Sequence, residues 1–257
     1  MIRLGIIGTH LTHTKSPLIY NTLFQRYGMD SHYDIIEIAQ EAFDSQIDRW
    51  MEELYGFNVT IPYKSRIIPH LKCISEDAMT IGAVNVINSK GEGFNTDWQG
   101  FYRSLEGIEI KGESAIVIGA GGAARAVCFA LKKAGLEIYV KDRKVERASE
   151  LEKIFGAHLE TPDPATVGLI VNATPLGMYP DTDSSPDLSI EKFRRSCVIY
   201  DLVYNPAETK FLRNASSLGF KTLNGYGMLV NQAVLNLKIW SMEALAETLL
   251  KDHSWIS

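Results

Sequence analysis

Short runs of β-branched and other apolar residues alternate along this chain with longer stretches in which apolar residues recur at helical spacing. "IRLGIIG" and "HYDIIEI" read as strands, whereas "SPLIYNTLFQRYG" and "AFDSQIDRWMEELYG" read as helices. In the second helix Phe43, Ile47, Trp50, Met51 and Leu54 fall on one stripe, which marks a buried face. Alternation of strands and helices predicts a mostly parallel sheet covered by helices. Near residue 100 the pattern restarts. "SAIVIGAGGAARAVCFALKKAG" gives a strand, a glycine turn and a helix, and "LEIYVKD" and "VERASELEKIFG" add a second strand and helix. Further short strands are predicted at "GLIVNAT", "CVIYDLV" and "FKTLN". From Gly225, "GYGMLVNQAVLNLKIWSMEALAETLL" reads as one or two long helices that return to cover the first domain.

The predicted fold is therefore α/β in two domains. An N-terminal α/β domain spans 1–100 and is completed by 225–257, and a Rossmann-type nucleotide-binding domain spans 101–224. Composition agrees with two packed cores: 46% of the 257 residues are hydrophobic and 22% charged. A formal net charge of −5 argues against a broad nucleic-acid or anionic-membrane footprint, which needs clustered Lys and Arg. The cysteines Cys73, Cys128 and Cys197 are widely spaced and odd in number, which suits reduced thiols better than a disulfide framework, and no metal constellation appears. "MIRLGIIGTH" is too short an apolar run for a signal-peptide core, and no segment reaches the roughly 18 apolar residues of a membrane span. A cytoplasmic protein is expected.

Chemistry enters with "IVIGAGGAARA", in which Gly119, Gly121 and Ala124 form a G-x-G-x-x-A fingerprint between a strand and a helix. Such a turn lets backbone N–H groups approach a pyrophosphate at the positive helix end, although a strand–helix turn needing positive φ has the same look. Asp142 ends the second strand, where a carboxylate can bind the ribose hydroxyls of NAD; Arg143 and Lys144 beside it can neutralise the 2′-phosphate of NADP. In "GFNVTIPYKS", Pro62 is expected to start a helix and to place Lys64 in its first turn, where the dipole disfavours a cation and favours a role as acid or base. Asp97 in "GFNTDWQGF" reads most simply as a helix N-cap, and Asn85 in "GAVNVI" as an amide among apolar residues that must be satisfied.

Taken together, "THTKSP" followed by "YN", "NVTIPYK", "GAVN", "NTDWQG", "GAGGAARA", "NATPLGM", "YDLVYNP" and "GYGMLVNQA" resemble the shikimate dehydrogenase family in order and over nearly the whole chain. The resemblance implies reversible oxidation of shikimate to 3-dehydroshikimate with NADP, run as a reduction in aromatic amino acid biosynthesis, with substrate bound in a cleft facing the cofactor. It implies Lys64 as acid–base residue paired with Asp97. Thr14 and Ser16 match the hydroxyls that hold the substrate carboxylate, Tyr204 adds a phenol, and Thr60, Asn85 and Gln232 match binders of the ring hydroxyls. For the cofactor, Gly119, Ala120, Gly121, Gly122 and Ala123 match the pyrophosphate loop. Asp142, Arg143, Lys144 and Arg147 fall in the adenosine-ribose loop, and Glu76, Leu202 and Gly225 at further cofactor positions. Ser16 before Pro17 also reads as a helix cap. The family usually has serine where this chain has Thr14, asparagine where it has Asp142, and often threonine where it has Lys144. These departures keep NAD open as cofactor and a quinate/shikimate dehydrogenase open as alternative. A non-catalytic nucleotide-sensing module is a further reading, which would be signalled by loss of the lysine or aspartate; both are present. A monomer or homodimer with no nucleic-acid or membrane partner is expected.

Overall fold

The computed structural model describes residues 1–9, 11 and 14–256, so that Thr12 and His13 of "THTKSP" lie outside the described residues. The chain divides into two compact units, one made of Met1–Thr96 with the segment from Val230 onward, the other of Asp97–Leu229.

In the first unit the described strands are β1 (Ile2–Gly8), β2 (Ser31–Glu37), β3 (Gly56–Val59), β4 (Cys73–Ile74), β5 (Val86–Ile87) and β6 (Glu92–Phe94), and the helices α1 (Ser16–Arg26), α2 (Phe43–Glu53) and α3 (Glu76–Ile81). The sheet order is β2-β1-β3-β5-β6-β4. β1 runs parallel to β2 and β3, but β5 is antiparallel to both β3 and β6, so this sheet is mixed where the pattern predicted a mostly parallel one. The α2 stripe packs as expected: Phe43, Ile47 and Leu54 are buried with Phe57, Val59 and Ile87 of the sheet, and Trp50 and Met51 lie partly buried against them.

The second unit contains α4 (Asp97–Ser104), β7 (Ser114–Ile118), α5 (Gly122–Lys133), β8 (Glu137–Lys141), α6 (Val145–Phe155), β9 (Val167–Asn172), β10 (Val198–Asp201), α7 (Lys210–Ser217) and β11 (Lys221–Asn224). Its sheet, in the order β11-β10-β9-β7-β8, is parallel throughout. Strand order reverses at β7, which pairs with β8 on one side and β9 on the other; the carboxyl ends at such a reversal are where open α/β sheets bind ligands. Then come α8 (Tyr226–Ile239) and α9 (Glu243–Lys251), the two C-terminal helices. From Val230 they belong to the first unit, anchored by Trp240, whose indole N–H donates to the Ile87 carbonyl at 2.9 Å. Among the described residues, no helix is long and apolar enough to cross a membrane.

One expected element is absent: Pro62 does not start an α-helix. Residues 61–67 form turns and only Ile68–His70 closes a 3-10 turn. Two causes are visible. The Lys64 carbonyl, which a helix would give to residue 68, accepts instead from the Val84 N–H at 2.7 Å. Pro69 has no N–H for the Ser65 carbonyl and disfavours helical backbone at Ile68. Lys64 therefore stands in a turn and not in the first turn of an α-helix, so no helix dipole of its own segment acts on it.

Candidate active site

In the first unit, the segments following β1 and β3 carry the expected substrate residues. Thr14 is half-buried and Ser16 is 6% exposed; Ser16 opens α1 without acting as its cap, since the N-cap is Lys15 and no side chain caps that end. Instead the Thr14 hydroxyl donates to Ser16 Oγ at 3.2 Å and accepts from the Ser16 N–H at 3.3 Å, which holds two hydroxyls side by side. Thr60 follows the last residue of β3, and its N–H donates to the Ile7 carbonyl at 2.9 Å. Lys64 is half-buried in the next turn, pinned through its carbonyl to Val84, the residue before Asn85.

Asn85 is buried, and its amide is satisfied in a definite orientation. Its Oδ1 accepts from the Thr96 N–H at 2.7 Å and its Nδ2 donates to Thr96 Oγ1 at 2.9 Å. Its carbonyl accepts from the Val59 N–H at 2.9 Å and from Asn58 Nδ2 at 3.0 Å, and Asn58 Oδ1 in turn accepts from the Tyr33 hydroxyl at 2.7 Å. Thr96 Oγ1 lies 2.7 Å from Asn236 Oδ1, and Asn236 Nδ2 donates to Gln232 Oε1 at 2.9 Å and to the Tyr20 hydroxyl at 3.0 Å. Burial pushes the Tyr20 phenol up from its ordinary value, so it stays protonated. One buried polar network thus runs from Asn85 to Gln232.

In the second unit, Asp97 is buried and stands at the start of α4. The carboxyl edge of the parallel sheet is laced by backbone bonds. Gly119 N–H donates to the Lys141 carbonyl (2.8 Å), Ala173 N–H to Ile118 (2.8 Å), Leu202 N–H to Asn172 (2.9 Å) and Gly225 N–H to Val203 (3.1 Å). Gly119–Ala123, Asp142, Leu202 and Gly225 are thereby collected along one edge. Tyr204 is half-buried in the turn after β10. Glu76 does not join them within this unit: it is exposed at the start of α3 in the first unit.

The glycine turn fits a nucleotide. Gly119 has φ +110°, and a Cβ on Gly121 would meet nothing within 4 Å, which leaves open space at the N-terminus of α5. The first-turn N–H groups of α5 have no partners within the helix and point the positive end of its dipole there. Asp142 Oδ1 accepts from the Lys144 N–H at 2.8 Å, shaping the following turn, on which Arg143 and Lys144 are exposed, with Arg147 exposed in the first turn of α6.

Comparison with known proteins decides what this arrangement belongs to. Residues 6–87 match the model of the shikimate dehydrogenase substrate binding domain. The chain is 39% identical to a shikimate dehydrogenase (NADP(+)) of Carboxydothermus hydrogenoformans over 92% of its length and 90% of the relative. The chain belongs to the shikimate dehydrogenase family. Among solved members, the enzyme of Thermus thermophilus in complex with NADP(H) and shikimate matches with a TM-score of 0.84 and 36% identity, covering 97% of this chain and 100% of that one. A Listeria monocytogenes member in complex with shikimate and NAD matches with a TM-score of 0.81 and 28% identity, covering 97% and 96%.

Around this shikimate dehydrogenase framework the structure adds residues that the motifs did not single out. Beyond Thr96, Tyr20 and Asn236, the loops after β9 and β10 are tied together by the fully buried Asp201, inside the apolar run "CVIYDLV". Its carboxylate accepts from Asn172 Nδ2 (2.9 Å), the Val203 N–H (3.0 Å) and the Thr209 hydroxyl (2.6 Å). Burial pushes the Asp201 carboxyl up to about 6 against these three bonds, which pull it down. The folded protein therefore holds this proton more tightly than the unfolded chain between about pH 4 and 6. The group's contribution to stability is greatest below about pH 4 and is lost as pH rises through about 6. Melting temperatures of the wild type and Asp201→Asn measured from pH 4.5 to 7 should show the wild type losing ground relative to the variant as pH rises; a constant difference would contradict this.

Proposed function

We propose that this chain is an NADP-dependent shikimate dehydrogenase that interconverts shikimate and 3-dehydroshikimate, working as a reductase in aromatic amino acid biosynthesis. The observation that carries this reading is its likeness, from end to end, to a solved relative that holds both NADP(H) and shikimate. In this reading the first unit is the substrate-binding catalytic domain and the second the nucleotide-binding domain. The protein acts in the cytoplasm as a monomer or homodimer, without nucleic-acid partners.

Thr14 and Ser16 hold the carboxylate through their paired hydroxyls, with Tyr204 adding a phenol donor; Thr60, Asn85 and Gln232 hold the ring hydroxyls. Gly119, Ala120, Gly121, Gly122 and Ala123 receive the pyrophosphate, and Asp142, Arg143, Lys144 and Arg147 the adenosine ribose, with Leu202, Gly225 and Glu76 completing the cofactor set. When bound, the nicotinamide takes or gives the hydride. On oxidation Lys64 takes the hydroxyl proton while the carbon-bound hydrogen leaves as hydride; on reduction it returns the proton to the carbonyl oxygen. Asp97 is its carboxylate partner. Support comes from the chain path: the Lys64 carbonyl is bonded to Val84, Asn85 binds Thr96, and Asp97 is the next residue. On mixing purified protein with shikimate and NADP, reduced nicotinamide should appear together with a product two hydrogens lighter. No reduction of either NADP or NAD by shikimate would overturn the proposal.

Asp142 favours a second reading in which NAD also serves. Its carboxylate repels a 2′-phosphate and suits a free ribose diol, whereas exposed Arg143 and Lys144 attract the phosphate. Two cations outweigh one like charge, so NADP is the working cofactor with a narrowed advantage. Asp142→Asn should raise the NADP-to-NAD ratio of kcat/KM by up to about tenfold, equivalent to about 1.4 kcal/mol, and Arg143→Ala should lower it. An unchanged ratio in Asp142→Asn would show that this carboxylate does not face the ribose.

A further inference from the structure

We infer that Asn236 is a positioning residue that fixes which end of the Gln232 amide faces the substrate; this rests on the reading of Gln232 as a binder of the ring hydroxyls. The polarity of the network can be followed from a group that has no choice. A backbone N–H only donates, so the bond from Thr96 N–H to Asn85 at 2.7 Å fixes the oxygen end of the Asn85 amide there. Asn85 Nδ2 must then donate to Thr96 Oγ1, at 2.9 Å. The single hydroxyl hydrogen of Thr96 is left to go to Asn236 Oδ1, at 2.7 Å, the shorter of its two possible acceptors. That sets Asn236 with Nδ2 toward Gln232 and Tyr20, at 2.9 and 3.0 Å, and uses both of its N–H bonds.

Gln232 consequently turns its oxygen to Asn236 and its Nε2 end the other way. The site reads the substrate oxygen at Gln232 as a hydrogen-bond acceptor, and an amide flip that would offer an oxygen to that hydroxyl is blocked. Asn236 is fully buried on α8, so the constraint is shielded from water, and it meets Thr96 Oγ1 across 140 residues of sequence, through which it is connected to Asn85. Asn236 thereby couples the orientations of two proposed substrate amides, one immediately before β5 and one on α8.

The test is a double-mutant cycle on KM for shikimate with wild type, Gln232→Ala, Asn236→Leu and the double variant, with melting temperature and NADP affinity as controls. Asn236→Leu keeps the branching and heavy-atom count of the side chain, removes both hydrogen-bonding ends, and is the better helix former of the two. It should raise KM about tenfold, the scale of one misdirected buried hydrogen bond, with kcat within about threefold. In the Gln232→Ala background the same substitution should change KM by less than about twofold, because there is no amide left to orient. An equal KM factor in both backgrounds, or no KM change at all, overturns the inference while leaving Gln232 as a ligand. No effect of Gln232→Ala itself overturns the reading of Gln232 and this inference with it. Should Asn236→Leu not fold, the same cycle is read with the isosteric Thr96→Val, which removes the hydrogen that orients Asn236. It should raise KM in the Gln232 background and by a smaller factor in the Gln232→Ala background; equal factors overturn the inference.

Discussion

Replacing Lys64 with methionine should lower kcat by about 10²–10⁴-fold, the range supplied by a positioned acid–base group, while NADP affinity and melting temperature stay close to wild type. The separation is expected because the structural part of this position is its backbone. The carbonyl bonded to Val84 survives the substitution, and the neighbours that fill the core here are Tyr63 and Ile67, both fully buried. Methionine also keeps much of the aliphatic stem. Steady-state kinetics with shikimate and NADP, alongside a thermal melt, check this; a variant retaining more than half of the wild-type kcat would remove Lys64 from the chemistry.

Gly225→Ala should be nearly as damaging through a different route. A Cβ at this position would lie 1.9 Å from the Leu202 carbonyl oxygen and 2.5 Å from its carbon, so backbone must move. The displaced pieces are the loops after β10 and β11, held by the Gly225 N–H to Val203 bond and by the buried Asp201. Overpacking of this kind costs about 1–3 kcal/mol when side chains can yield, and here the obstacle is main chain. A lower melting temperature and NADP affinity weakened by at least about tenfold are expected. Wild-type values for both would mean that the loop tolerates the shift and does not shape the cofactor site.

What could be read from the residues alone follows from how local each cause is. The α2 stripe, the strand–glycine turn–helix at residue 119 and the two helices after Gly225 each carry their own periodicity, and the structure has them. β5 and β6, of two and three residues, are too short to display alternation, and their antiparallel pairing is set by partners and not by their own pattern. The helix expected at Pro62 failed for one reason inside the segment, Pro69, and one outside it, the donation from Val84. The candidate site residues follow the same division. Lys64, Asn85 and the glycine turn stand in short distinctive strings, but Asn236 is one asparagine on a helix, and its significance depends on Thr96 reached across 140 residues. Asp201 likewise sits in an apolar strand, where only the fold reveals three donors converging on one carboxylate.

Substrate and cofactor choice can be measured together. Initial rates of the purified protein with shikimate and with quinate, each with NADP and with NAD, give four values of kcat/KM. In the proposed site, the paired Thr14 and Ser16 hydroxyls and the oriented amides of Asn85 and Gln232 predict a clear preference for shikimate, because a site built to hydrogen-bond each hydroxyl rejects a misplaced one strongly. Arg143 and Lys144 predict NADP over NAD. The highest value is expected for shikimate with NADP; an equal or greater value for quinate with NAD would contradict the account.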